Sequence, residues 1–458
     1  MQKPNIILLN IDDLGYGDIG CYGSKLNRTP HIDKLAEEGI LFTDFYAAAP
    51  VCTPSRAGLM TGCYPKRIDF QSFGVYDSQD PQKKKDDFVV LMPGQPEGLN
   101  PKEKTIAGIL KDAGYATQMI GKWHLGDQKE YSPLHFGFDH YFGIPYSNDM
   151  GLMPVNDFWS RYHYTMCPLP LVRDDKLIEE QPDCASLAER FTVEAVDFIR
   201  DHSEQPFFLY FAHYYVHNPL YTAERFQKVS ENGQMGAALA SIDWTVSMIE
   251  YELERLGLSD NTLIIFMSDN GGDTRSCNAP LRGYKGSTFE GGERVNCIMK
   301  WPEIIKRGRV SNEIVSMMDI FPTFAEIVGV SIDDGIKRDG ISVLDLLIDE
   351  KQHSKRNTFF YYAANELQAV RKGDYKLHLK TGELYDLRKD VGETTDIAHQ
   401  YPEKAAELEQ IAQLCREDIG DSATGTIGKN CRPKGFVKDF KPMTCFDPEN
   451  PYMIALYD

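Results

Sequence analysis

The strongest constraint in this chain is a set of short, unbroken apolar runs that each stop at a polar cluster. Ile6 to Ile11 stops at Asp12-Asp13. Phe207 to Phe211 leads to His213. Thr262 to Phe266 ends at Ser268-Asp269-Asn270-Gly271-Gly272. Runs this short, with no polar alternation, predict strands buried on both faces. Between them lie patterns of helical period: Pro30 to Glu38 closed by Gly39, Ile106 to Asp112 closed by Gly114, Leu187 to Arg200, and Met235 to Leu256. Tyr115 to Ile120 adds a further strand, and Val193, Val196 and Ile199 are expected on one apolar helix face. The alternation predicts an α/β fold, a largely parallel mixed sheet with helices on both faces. Ligands in such folds gather outside the carboxyl ends of the strands, where these polar clusters fall.

The pattern changes after about residue 350. Thr358 to Ala363, Ala369 to Leu379 and Glu383 to Leu387 read as strands joined at Lys372-Gly373-Asp374 and Thr381-Gly382, and the helix Pro402 to Cys415 follows. This predicts a smaller C-terminal antiparallel sheet with a packed helix and a surface-wrapping tail over 420–458. The expected division is a main domain at 1–350 and a C-terminal subdomain at 351–458.

The 458 residues carry a formal net charge of −19. That charge repels nucleic acid and anionic membranes over long range, so neither is expected as a partner. It also disfavours wrapping along a heavily sulfated polymer, while leaving room for a local positive pocket that takes one small anion. No apolar run approaches a membrane span, and the N-terminus lacks a signal-peptide pattern. As written the chain reads as cytoplasmic, or as exported if a leader has been removed. The ten cysteines are scattered and form no CxxC pair. Free thiols are expected, with a bridge among Cys415, Cys431 and Cys445 as the alternative.

Asp12, Asp13, Asp269 and Asn270 stand at the ends of two buried strands. Three carboxylates and an amide form a hard donor set, which predicts one divalent cation, calcium first and magnesium second, rather than zinc. Either pair alone would read as a solvated turn.

The segment Cys52-Thr53-Pro54-Ser55-Arg56 decides between these readings. Alone, Cys52 would read as a small buried hydrophobe. In this phrase the chain resembles the type I sulfatase family of the alkaline phosphatase superfamily, in which Cys-x-Pro-x-Arg signals conversion of the cysteine to formylglycine. The resemblance also covers Asn5 to Asp18, Gly121 to Gly126, Val216 to Leu220, Ser268 to Gly272 and Lys285 to Gly292, and Gly143 to Asp149 resembles the arylsulfatase A branch. One departure is Cys63, where family members commonly carry arginine.

The resemblance implies a sulfuric ester hydrolase with Cys52 modified to formylglycine by a maturation enzyme. The chemistry explains why a cysteine is converted. A thiolate that accepted sulfate would be left as a stable adduct, whereas an aldehyde hydrate carries two hydroxyls. One attacks sulfur; the other, once deprotonated, collapses to the aldehyde and expels sulfate. The resemblance further implies that Arg56 holds residue 52 and the metal side. Lys122 and Lys285 would contact sulfate, His124 act as base at residue 52, and His217 serve as general acid for the leaving alcohol. His213 and Arg282 lie near these motifs and are expected to line the substrate side. The substrate is expected to be a small sulfated compound, in particular a sulfated saccharide read by loops such as Asn148 to Arg173, with aryl sulfates as reporters. Two other functions remain in play: a phosphonate or phosphate ester hydrolase of the same superfamily, and an inactive sulfate- or glycan-binding protein.

Overall fold

Alternate residues of one strand supply two separate cores. Ile6 and Leu8 face one apolar cluster, and Ile7, Leu9 and Ile11 face another. A computed structural model of the chain describes residues 3–76, 84–152 and 167–452, and the strand Asn5–Ile11 stands near the middle of its eleven-stranded sheet. Thr262–Ser268, Asn5–Ile11, Phe207–His213, Ala116–Lys122 and His140–Ile144 run parallel in that order. Arg294–Lys300 and then Ile40–Tyr46 extend one edge antiparallel, and Pro170–Arg173 and Lys176–Glu180 extend the other.

The helices Pro30–Glu38, Cys184–Asp201 and Gly233–Arg255 cover one face through Leu35, Phe191 and Ile242, among others. The helices Cys52–Thr61, Ile106–Asp112 and Ile320–Val328 cover the other. Thr105 caps the second of these by accepting a hydrogen bond from Gly108 N at 3.0 Å, the interaction that favours threonine at a helix start. One sequence expectation fails on the opposite face. Val196 and Ile199 are buried, but Val193 is 57% exposed, because a three-residue step turns it past the edge of the apolar stripe.

Thr358–Ala363, Glu366–Lys372, Tyr375–His378 and Leu384–Asp386 form a four-stranded antiparallel sheet, backed by the helix Pro402–Ile419. Tyr361, Val370 and Leu408 join the same cluster as Ile6 and Leu8, so the C-terminal sheet leans on the main core. The tail crosses the surface: Gly435–Phe436 pairs with Glu97–Gly98, and Lys441 N donates to Gln128. Cys415, Cys431 and Cys445 form no disulfide.

Gly121 shows how tightly the parallel strands are drawn at the end that carries the polar clusters. Its φ is +96°, and a Cβ there would lie 2.0 Å from Ala212 O. Gly121→Ala should therefore destabilise the protein by about 1–3 kcal/mol, read as a lower midpoint in thermal or urea unfolding; an unchanged midpoint would refute this close approach.

Candidate functional site

Five chain segments deliver charged side chains to one buried place beyond the carboxyl ends of the parallel strands. Asp12 and Asp13 follow Asn5–Ile11, Asp269 and Asn270 follow Thr262–Ser268, and Lys122 ends Ala116–Lys122 with His124 two residues later. Cys52 opens the helix Cys52–Thr61, all ten residues of which are buried. Lys285 arrives on a later loop. Gly271 allows that loop to approach, since a Cβ there would sit 1.9 Å from Gly291 O. Asp13 and His124 hold φ of 59° and 62°, a left-handed conformation that non-glycine residues rarely adopt outside sites that require it.

The acids and bases interlock. Arg56 Nε donates to Asp269 Oδ2 at 2.9 Å, and its Nη2 lies 3.5 Å from Asp12 Oδ1. Lys122 Nζ donates to Asp12 Oδ2 at 2.5 Å, and Lys285 Nζ to Asp13 Oδ2 at 2.8 Å. Asn270 Nδ2 donates to Asp13 Oδ1 at 2.7 Å. Cys52 Sγ lies 3.9 Å from that same oxygen, at the positive end of its helix.

Burial pushes the Asp12 carboxyl up, but Lys122, His217, Arg56 and Lys285 together hold it well below the usual carboxylate range. Asp269 goes the other way. Burial and then the Asp12 charge push it up to about 7, against the pull of Arg56. Burial and the Asp12 charge likewise push the Cys52 thiol far up, so an unmodified Cys52 stays protonated and is a poor nucleophile.

The donor set fits a cation. Asp12 Oδ1 and Asn270 Oδ1 are buried and have no hydrogen-bond partner among the described residues. Asp12, Asp13 and Cys52 offer ligand atoms within 4.8 Å of one another. Orphaned oxygens beside carboxylates that repel each other are the environment a hard divalent ion relieves.

The histidines divide by their hydrogen bonds. His124 Nε2 lies 3.0 Å from Leu91 O, so this nitrogen carries the proton, and Nδ1 has no partner among the described residues. Burial and then Lys122 hold His124 far below the usual histidine range, as a neutral base. His217 Nδ1 lies 2.6 Å from Asn218 O, and its Nε2 is 3.8 Å from Asp13 Oδ2.

Two expected substrate contacts are engaged by other partners. His213 is 0% exposed, its Nδ1 accepts from Tyr215 N, and burial lowers it to about 3. Arg282 turns toward the C-terminal sheet, donating from Nη1 to Glu393 O at 2.7 Å. For Arg282 the adjoining sequence motif gave the neighbourhood but not the direction. Conversely, the sequence reasoning missed Ser147. Its Oγ accepts from Lys122 Nζ at 3.2 Å and lies 3.5 Å from His217 Nδ1. Its place in Gly143 to Asp149 was the available signal. Much of the expected specificity loop Asn148 to Arg173 lies at 153–166, outside the described residues.

Comparison with known proteins places this geometry. A family model described as Sulfatase matches residues 4–330, and one for the C-terminal part of N-sulphoglucosamine sulphohydrolase matches residues 285–418. Human arylsulfatase A is 34% identical over 92% of this chain and 89% of its own length. Rat N-acetylgalactosamine-6-sulfatase is 38% identical over 83% of this chain and 72% of its own length. A solved structure of Ps i-CgsB with k-i-k-neocarrahexaose is 29% identical, covers 90% of this chain and 92% of that one, and has a TM-score of 0.78. The chain belongs to the sulfatase family and is a sulfuric ester hydrolase. Among the described residues, no helix is long and apolar enough to cross a membrane.

Asp269 generates a pH test of the cation. Burial and the Asp12 charge push its carboxyl up to about 7, above the ordinary value of 3.8. Between those values the folded chain keeps a proton the unfolded chain has lost, so the metal-free protein loses stability as pH rises through that window. Chelation should lower Tm more at about pH 8 than at about pH 5, and calcium should restore it. Calorimetry showing a chelator effect independent of pH would contradict this linkage.

Proposed function

We propose that this sulfatase cleaves sulfate esters of a small saccharide through a formylglycine hydrate derived from Cys52, beside one calcium ion, with magnesium as the alternative. The observation that carries this reading is the convergence of Cys52 with three carboxylates, one amide and three cationic side chains. In this reading Asp12, Asp13, Asp269 and Asn270 hold the cation, which would neutralise charge on the sulfate oxygens. The burial of Cys52 supports conversion by a maturation enzyme before the chain folds.

The remaining residues supply binding and proton transfer. Lys122 and Lys285 hold the sulfate oxygens and stabilise charge that spreads onto them as the ester bond breaks, in a site where burial strengthens each contact. Ser147 braces Lys122 against His217. Arg56 fixes Asp269 and so the side of the site where the cation would lie. His124, neutral with Nδ1 available, takes the proton from the residue 52 hydroxyl when sulfate is released. His217, with Nε2 facing the carboxylate side, hands a proton to the leaving alcohol. Residues 1–350 contribute most of this machinery, and 351–458 act as a subdomain on the same core.

The saccharide assignment draws on the relatives: one acts on N-acetylgalactosamine-6-sulfate by its name, and one structure holds a neocarrahexaose. A phosphonate monoester hydrolase of Agrobacterium radiobacter shares the fold at 18% identity and a TM-score of 0.60. The sulfate reading is favoured over a phosphonate one because the cation would be held by three carboxylates and an amide, without histidine ligands.

The general-acid role separates good leaving groups from poor ones. His217→Ala should lower kcat on a sulfated monosaccharide by about 100-fold or more. The loss on 4-nitrophenyl sulfate should be far smaller, because 4-nitrophenolate departs without a proton. Equal losses on both would remove His217 from this role. Wild-type turnover of 4-nitrophenyl phosphonates faster than of the sulfate would overturn the sulfatase reading.

A further inference from the structure

Lys285 lies midway along a segment from Arg282 to Glu290, and that segment touches the site twice through its backbone. Lys285 N donates to Gly272 O at 3.0 Å, beside the Asp269-Asn270 loop, and Gly286 N donates to Pro50 O at 2.8 Å, two residues before Cys52. Both feet of the segment meet a single residue outside the site. Arg282 Nη1 donates to Glu393 O at 2.7 Å, and Glu290 N donates to Glu393 Oε2 at 2.7 Å.

Glu393 is itself tightly held. Lys376 Nζ lies 2.8 Å and His378 Nε2 2.9 Å from its Oε1. Lys376 also reaches Glu290 Oε1 at 3.0 Å, which closes a ring of Glu393, Lys376 and Glu290. All three are 0% exposed. Tyr361 donates to Glu290 Oε1 at 2.7 Å, adding a further tie from the C-terminal sheet. The Arg282 guanidinium packs 4.0 Å over the Phe289 ring, which lies 4.8 Å from the His378 ring. Glu393 adopts φ of 51°, the left-handed region that disfavours a glutamate unless its surroundings demand it. A buried charge ring adds little net stability over apolar packing of the same shape, so its presence asks for another use. Here that use is direction. The ring and Arg282 hold the ends of a segment whose middle must aim an ammonium group at Asp13 and at bound sulfate.

We propose that Glu393 and Arg282 are positioning residues through which the C-terminal sheet aims Lys285 at the reacting sulfate. This rests on the sulfate-binding role given to Lys285 above. The small sheet is then part of the catalytic apparatus through the loop it holds. It also gives Arg282, conspicuous in the sequence beside the Lys285 motif, a role at the foot of the loop.

A double-mutant cycle tests the proposal. Kinetics on 4-nitrophenyl sulfate would be measured for Glu393→Gln, Arg282→Ala, Lys285→Ala and the two doubles that include Lys285→Ala. Each positioning variant alone should lower kcat/KM by about 10- to 100-fold, the scale of a misplaced catalytic group. In the Lys285→Ala background the same changes should alter kcat/KM by less than about twofold, because residues acting through one partner lose their effect when it is gone. Losses that persist in full without Lys285 would mean a purely structural role and overturn the proposal, as would wild-type activity in both single variants. Arg282 is exposed, so its variant carries the test if Glu393→Gln fails to fold. If Lys285→Ala itself leaves kcat/KM unchanged, the role given to Lys285 fails first, which separates that failure from a failure of the clamp.

Discussion

Everything in this molecule turns on gathering three buried carboxylates where two neighbouring parallel strands end. Asp12, Asp13 and Asp269 repel one another at close range in a medium that screens poorly. Arg56, Lys122 and Lys285 answer that charge from three other segments, each within 3 Å of a carboxylate oxygen. The balance is incomplete by design of the donor set. Asp12 Oδ1 and Asn270 Oδ1 are left without hydrogen-bond partners among the described residues, and a divalent cation would complete it. The same concentration of positive charge that quiets the acids would receive a sulfate group.

The scaffold's task is to hold that balance still. A parallel sheet buried on both faces fixes the strand ends, and it needs two apolar cores to do so, which is why Ile6 and Ile7 point to different clusters. Close approaches at Gly121 and Gly271 draw the loops into contact. Residue 52 enters on a helix with no exposed face, so its position is set by packing on every side. Glu393, held by Lys376 and His378 of the C-terminal sheet, bonds both ends of the segment that carries Lys285.

Much of the fold was legible because its central strands are short continuous apolar runs, and a run such as Ile264 to Phe266 has no plausible exposed state. The antiparallel strands beside them were not. Ile40–Tyr46 carries Thr43 and Asp44 among its apolar residues, and Arg294–Lys300 mixes Arg294, Asn296 and Lys300 into the strand. Those polar groups find partners only in the folded chain, Arg294 with Asp44 among them, so their pattern does not read as buried. At the site, Cys52 and the four oxygen-bearing residues were visible as motifs. Ser147 lay inside the Gly143 to Asp149 motif, but nothing in the motif singled it out, since a serine is ordinary in any loop. The orientation of His213 and Arg282 was also hidden, because direction is decided by partners such as Tyr215 and Glu393 that lie far along the chain or on the backbone.

The most direct test is a crystal structure of the protein expressed in its native host, with calcium in the buffer. The account predicts a two-oxygen hydrate in place of the sulfur at residue 52, and a cation ligated by Asp12, Asp13, Asp269 and Asn270 beside it. An intact thiol at full occupancy, or a cation bound elsewhere with those four side chains dispersed, would contradict it.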